Sequence, residues 1–206
     1  MRHIRAFARN ALPHLTSRFL TFSTMLGQKK VGKQPSFLPW IQGMKLKYLI
    51  LSIVSFFVLV VDQATKIYID RTMDLHTSIT VVDNFFNITY MRNKGAAFSF
   101  LASFSYRLPF FIFISAVAIV VILFVMRRLR QDQTFTAFCL SLIFSGALGN
   151  LIDRIRLGEV IDFIDVHWYG HHWPAFNVAD SAICVGVFLL AIDMYIEEKR
   201  QKALNS

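Results

Sequence analysis

The stretch LPFFIFISAVAIVVILFVM, Leu108 to Met126, decides the class of this chain. It carries no charge and is followed at once by Arg127, Arg128 and Arg130. A helix needs ~20 apolar residues to cross the hydrocarbon core of a bilayer, and this run supplies them. Three more such runs flank it. One extends from about Lys47 to Ile69, and its Tyr48–Val61 portion is uncharged. Another lies between Asp132 and Asp153, again uncharged. The last runs from about Val178 to Ile196, with Asp180 and Asp193 near its ends. The expected fold is an all-α membrane protein, a bundle of four transmembrane helices.

The 206 residues are 55% hydrophobic, as a membrane class requires. The formal net charge of +9 is unevenly placed. Residues 1–43 hold seven Lys or Arg and no acid, whereas beyond them 15 basic residues face all 13 acids. A basic, acid-free stretch of this kind fits a targeting or membrane-surface segment, not a nucleic-acid partner. Gly27, Gly32, Pro35 and Pro39 break any periodicity in it. Two domains follow: residues 1–43, an extension that is disordered or precedes the true start at Met44, and residues 44–206, the membrane domain. Cys139 and Cys184 both fall within apolar runs and read as small buried hydrophobes.

Orientation follows from the basic residues at the span ends. Lys45 and Lys47 precede the first span, Arg127, Arg128 and Arg130 fill the short connection after the second, and Lys199, Arg200 and Lys202 close the fourth. All three clusters fall on one side, so both termini are expected in the cytoplasm. Asp62, Asn150, Arg154, Asp162 and Asp180 then meet at the opposite, extracytoplasmic face. Residues 78–90 alternate in the manner of strands about an Asp83-Asn84 turn, and residues 160–168 alternate as well. A small extracytoplasmic β-sheet is expected there, with Tyr90, Trp168, Tyr169 and Trp173 as interfacial aromatics.

Acids at membrane depth are costly and mark function. Asp162 lies in Gly158-Glu159-Val160-Ile161-Asp162-Phe163, and Asp180 follows Phe176-Asn177-Val178-Ala179. Two carboxylates brought together resist joint ionisation, so one holds a proton while the other is charged. That is the requirement for hydrolysing a peptide bond with an aspartyl pair. Taken singly, Asn177-x-x-Asp180 is also a helix capping box, Asp62 and Lys66 are also an i,i+4 ion pair, and Asn93 with Gly95 is also a turn. The run Gly95-Ala96-Ala97 would further let a substrate backbone approach closely. His167, His171 and His172 lack the spacing of a metal motif, and neither a metal nor a cofactor is expected.

Five segments together resemble the lipoprotein signal peptidase (signal peptidase II) family of bacterial membrane aspartyl proteases. They are Val61-Asp62-Gln63-Ala64-Thr65-Lys66, Asn93-Lys94-Gly95-Ala96-Ala97-Phe98-Ser99, Gly149-Asn150-Leu151-Ile152-Asp153-Arg154, Gly158–Phe163 and Phe176-Asn177-Val178-Ala179-Asp180-Ser181. The resemblance spans about Met44 to Lys199. It implies a multi-pass enzyme of the bacterial inner membrane, monomeric and cofactor-free, that cleaves diacylglyceryl-modified prolipoproteins just before the lipid-modified Cys. It assigns catalysis to Asp162 and Asp180, and site support or substrate contact to Asp62, Lys66, Asn93, Gly95, Asn150, Arg154 and Asn177. Membrane lipids are the other expected partners. A proton-coupled carrier would instead need acids at every depth of the bundle. Here the half of each span away from Asp162 and Asp180 is free of them, apart from Asp193 at the rim.

Overall fold

A computed structural model describes residues 45–95 and 106–204. The extension 1–43, Met44 and the Ala96–Ser99 part of the second motif lie outside the described residues. Four helices are long and apolar enough to cross a membrane: α1 (Leu46–Thr72), α2 (Arg107–Arg128), α3 (Thr134–Leu157) and α4 (Val178–Leu204). At 1.5 Å per residue, each exceeds the ~30 Å hydrocarbon thickness. Each runs one to eight residues past the apolar core read from sequence. Charged residues prolong a helix into the interface without cost, so hydropathy marks the lipid-buried part and not the helix end.

The helix α3 is central and packs against each of the other three. Half of its apolar stretch is buried, against 6–17% in the others. Its sequence explains why. Gly146, Gly149, Ser141, Ser145 and Ala147 present small side chains, which let neighbouring backbones approach in the manner of membrane bundles. A Cβ on Gly149 would stand 2.6 Å from Asp62 Oδ2, and one on Gly146 would run into the Ala179 carbonyl. At the far end Lys47 is buried. Its Nζ donates to the carbonyls of Arg127 (3.0 Å) and Leu129 (2.6 Å), satisfying the C-terminus of α2.

Between α1 and α2 the chain forms β1 (Ser78–Val82) and β2 (Phe86–Asn93), and between α3 and α4 it forms β3 (Val160–Trp168) and the two-residue β4 (His171–His172). The sheet is antiparallel in the order β1-β2-β3-β4. Asn84, at φ 58°, makes the expected turn between the first two strands. A register shift between Ile88 and Met91 re-aims the end of β2, so that Asn93 pairs with Val160 and sits diagonally across from Asp162 on one face.

Three sequence expectations change here. Residues 160–163 of β3 are all buried, so the strand does not alternate between core and solvent. The aromatic Tyr90 is not interfacial but buried with Ile69, Ile161 and Phe163, its hydroxyl donating to Asp70 and accepting from Arg92 Nε at 2.9 Å. Buried tyrosine keeps its polar tip satisfied in this way. Cys139 is buried, but Cys184 is exposed. Trp168, Tyr169 and Trp173 are exposed.

Candidate functional site

The sheet end of the bundle holds a connected set of polar side chains drawn from all parts of the chain. Asn177 caps α4, its Oδ1 accepting the Asp180 N–H at 2.9 Å, while Asp180 Oδ2 accepts the Asn177 N–H at 3.3 Å. This is the reciprocal capping box. Because Asn177 spends its oxygen on the helix, its amide nitrogen is left to donate elsewhere. It reaches Asp162 Oδ1 at 2.7 Å and the Ile161 carbonyl at 3.2 Å. One wholly buried asparagine thus touches both carboxylates.

Each carboxylate has a second amide partner. Asn93 Nδ2 donates to Asp162 Oδ2 at 3.0 Å across the β2–β3 diagonal, and Asn150 Nδ2 donates to Asp180 Oδ1 at 2.7 Å from α3. Burial pushes the Asp162 carboxyl up to about 7, and the nearby Asp180 charge adds to the rise. The hydrogen bonds from Asn93 and Asn177 act against it. A carboxyl that keeps its proton near neutral pH, beside a second acid, is the arrangement for passing a proton in two directions.

Behind the pair lies a buried charged layer. Lys66 Nζ is 3.0 Å from Asp62 Oδ2, 2.8 Å from Asp153 Oδ2 and 3.2 Å from Asn150 Oδ1. Asp62 Oδ1 in turn accepts the Ala179 N–H at 2.9 Å, fixing the first turn of α4. Gln63 Nε2 joins the two acids, at 3.1 Å from Asp62 and 3.0 Å from Asp153. Asp62 and Lys66 are therefore not a snorkelled surface pair; both are almost wholly buried. Asp153 and Gln63 stood only inside quoted motifs at the level of sequence. The signal for Asp153 was its position one turn from Asn150 on α3, which puts it on the same face.

The pair opens onto a cavity of about 850 Å³, lined among others by Asn93, Gly95, Arg154, Asp162 and Asp180. Arg154 is half-buried, and its guanidinium carbon lies 5.1 Å from the centre of the Phe111 ring. Gly95 has φ +103°, a backbone state that side chains rarely adopt, and its N–H donates to Asn93 Oδ1 at 2.8 Å. So all nine sequence-derived residues lie in one network or on one cavity wall. The histidines stand apart. His172 Nδ1 is 2.8 Å from Asp165 Oδ1 and stacks on His167, and among the described residues no group of three or more His, Cys, Asp or Glu could hold a metal.

Fold and site together define a membrane protein with four spans and a buried carboxylate pair at one end of its bundle. The family model described as signal peptidase (SPase) II matches residues 54–196, and the chain belongs to that peptidase family. It is 67% identical over 158 residues to the lipoprotein signal peptidase of Geobacter sulfurreducens, covering 77% of this chain and 99% of that one. It is 52% identical over 161 residues to the lipoprotein signal peptidase of Syntrophotalea carbinolica, covering 78% and 100%. A bacterial membrane enzyme solved by the in meso method at 2.3 Å resolution superposes with a TM-score of 0.67 at 37% identity, over 73% of this chain and 90% of that one. A second, at 1.9 Å resolution, gives 0.64 at 39% identity, over 70% and 91%.

Proposed function

We propose that this chain is an intramembrane aspartyl endopeptidase that removes signal peptides from diacylglyceryl-modified prolipoproteins, cutting just before the lipid-modified Cys. The observation that carries the reading is the single buried Asn177 bonded to both Asp162 and Asp180 at the wall of one cavity. Membership of the signal peptidase II family supports the substrate class.

In this reading the pair works with one proton between its members. The ionised carboxylate takes a proton from water, and the water oxygen attacks the scissile carbonyl. The protonated carboxyl donates to the carbonyl oxygen. The tetrahedral species then collapses, a proton passes to the leaving nitrogen, and the carbon–nitrogen bond breaks. Asn93, Asn150 and Asn177 hold the two carboxyl groups in place, and Arg154 and Gly95 form the wall against which the substrate backbone lies. Asp62 fixes the first turn of the helix that carries Asp180, and Lys66 joins Asp62 to Asp153 and Asn150. No metal or cofactor takes part.

The same reading places the sheet end on the extracytoplasmic side of a bacterial inner membrane, with both termini in the cytoplasm and the enzyme acting as a monomer. The lipid chains stay in the bilayer while the peptide enters the polar end. Residues 1–43 take no part, and the domain from Met44 onward suffices. The test is incubation of the purified protein with a diacylated prolipoprotein and with its unlipidated precursor. The expected result is a shift to a shorter product for the lipidated form alone. Equal cleavage of both forms, or of neither, overturns the reading.

A further inference from the structure

Among the described residues, Arg154 forms no ion pair or hydrogen bond, although it shares a cavity wall with Asp162 and Asp180. A guanidinium without a hydrogen-bond or ion-pair partner on a long side chain would sample many rotamers and lose that freedom on being ordered. What holds it is the face of Phe111, 5.1 Å from ring centre to guanidinium carbon and inside the ~6 Å range of a cation–π contact. Phe111 comes from α2, which contributes no acid or amide to the network. The ring is itself braced. Phe110 meets it edge-on, with centroids 5.4 Å apart, and Gly95 lies so close that a Cβ there would run into it. Gly95 also donates to Asn93, the residue that holds Asp162 Oδ2.

We propose that Phe111 is a positioning residue: its ring aims the Arg154 guanidinium into the cavity and seats the Gly95 turn that carries Asn93. This rests on the reading of the cavity as the peptidase site. The ring acts through Arg154 and Gly95. It also explains the glycine. With φ +103° and an aromatic face against its Cα, position 95 admits neither a side chain's volume nor its preferred backbone.

Two measurements on the full chain in detergent test the proposal. The first is turnover of a lipidated prolipoprotein peptide by Phe111→Leu, Phe111→Tyr, Arg154→Ala and the Phe111→Leu/Arg154→Ala double variant. Removing the aromatic face is expected to lower kcat by about 3- to 30-fold, from the size of a partly desolvated cation–π contact, with KM little changed. Phe111→Tyr, which keeps the face, is expected to retain the rate. In the Arg154→Ala background the Leu substitution is expected to add little. A loss of equal size in both backgrounds, or wild-type kcat in Phe111→Leu, overturns the proposal. If Phe111→Leu does not fold, Phe111→Met takes its place. The second measurement is the mobility of the Arg154 Nε–H by nuclear spin relaxation, which needs no substrate. It is expected to rise in Phe111→Leu, and unchanged order overturns the proposal whatever the reaction. Wild-type protein that cleaves no lipidated peptide, with Arg154 still loosened by Phe111→Leu, would sink the peptidase reading while keeping the Phe111–Arg154 hold.

Discussion

Lys66 Nζ lies 2.8 Å from Asp153 Oδ2, with only 2% of either side chain exposed. The contact joins α1 to α3 behind the candidate pair, and it is shared. The same ammonium meets Asp62, whose other oxygen fixes the first turn of α4. A buried charge set of this kind is costly to assemble and costlier to leave incomplete. Its value lies in setting the mutual register of three helices, two of which carry Asn150, Asn177 and Asp180.

Replacing Lys66 by Met keeps the volume and removes the charge. Two buried acids then face each other across Gln63 without a counter-ion. The expected cost is about 3–5 kcal/mol of stability, read as a fall in the thermal unfolding midpoint in detergent. An unchanged midpoint would mean that Lys66 is not the keystone of the layer.

The variants Asp162→Asn and Asp180→Asn are each expected to lose turnover by at least ~10²-fold, the lower range for a positioned acid or base, while still inserting and folding. The capping geometry explains the second half. An asparagine at 180 can still accept the Asn177 N–H through its oxygen, so the start of α4 survives. Circular dichroism of the purified variants checks the fold and the gel shift checks turnover. A variant with near wild-type cleavage removes that residue from the pair.

The raised Asp162 carboxyl sets a pH dependence of definite sign. In the unfolded chain this acid ionises near its ordinary value of 3.8, but in the fold it keeps its proton up to about 7. Between those values the native state binds more protons than the unfolded one. Its contribution to stability therefore falls as pH rises through that window and is constant above it. In the mechanism proposed above, turnover needs the same proton. Above about pH 7 the pair loses it, and kcat/KM is expected to drop about tenfold per pH unit. A profile flat to pH 9 would show that no proton on Asp162 is needed.

Much of the fold can be read from the sequence. The four spans were visible because lipid tolerates only long uncharged helices, so hydropathy reports them directly. The strands were visible because Ser78–Tyr90 alternates about Asp83-Asn84. What was not visible depends on contacts between distant segments. Tyr90 reads as an interfacial aromatic until Asp70 and Arg92 are seen to satisfy its hydroxyl. Asp153 reads as the charged end of a span until Lys66 meets it from α1. Phe111 is one apolar residue of the uncharged Leu108–Met126 run until Arg154 is found on its face. A polar residue names its needs in sequence, but its partner is set by helix packing, which small residues such as Gly146 and Gly149 control only in aggregate.

The bundle has an even number of crossings, so Leu46 and Leu204 end on the same side. Lys45, Arg127, Arg128, Arg130, Lys199, Arg200 and Lys202 flank the helix ends on that side, which the proposed orientation puts in the cytoplasm. Reporter fusions after Ser206 are expected to be active only as cytoplasmic reporters. Activity confined to the outer compartment would invert the topology and place the Asp162–Asp180 cavity in the cytoplasmic leaflet.

Arg154→Ala is expected to impair turnover more than Arg156→Ala. The two lie two residues apart on α3, so they point about 200° apart around the helix. Arg154 accordingly lines the cavity with Asp162 and Asp180, whereas Arg156 is exposed and donates to Gln63 Oε1 at 3.2 Å. A guanidinium at the cavity wall can hold a substrate carbonyl and favour the ionised member of the pair. Losing a charged hydrogen bond of that kind costs about 1.5–3 kcal/mol, or roughly 10- to 150-fold in kcat/KM at 1.4 kcal/mol per decade. The Arg156 contact is with a neutral amide at the surface and is worth ~1 kcal/mol or less. Because Gln63 also bridges Asp62 and Asp153, any loss in Arg156→Ala should appear in the unfolding midpoint before it appears in turnover. Both variants are assayed on one lipidated peptide in detergent. Equal losses, or a larger loss at 156, would mean that the polar layer behind the pair governs the rate and that the Arg154 wall of the cavity does not touch substrate.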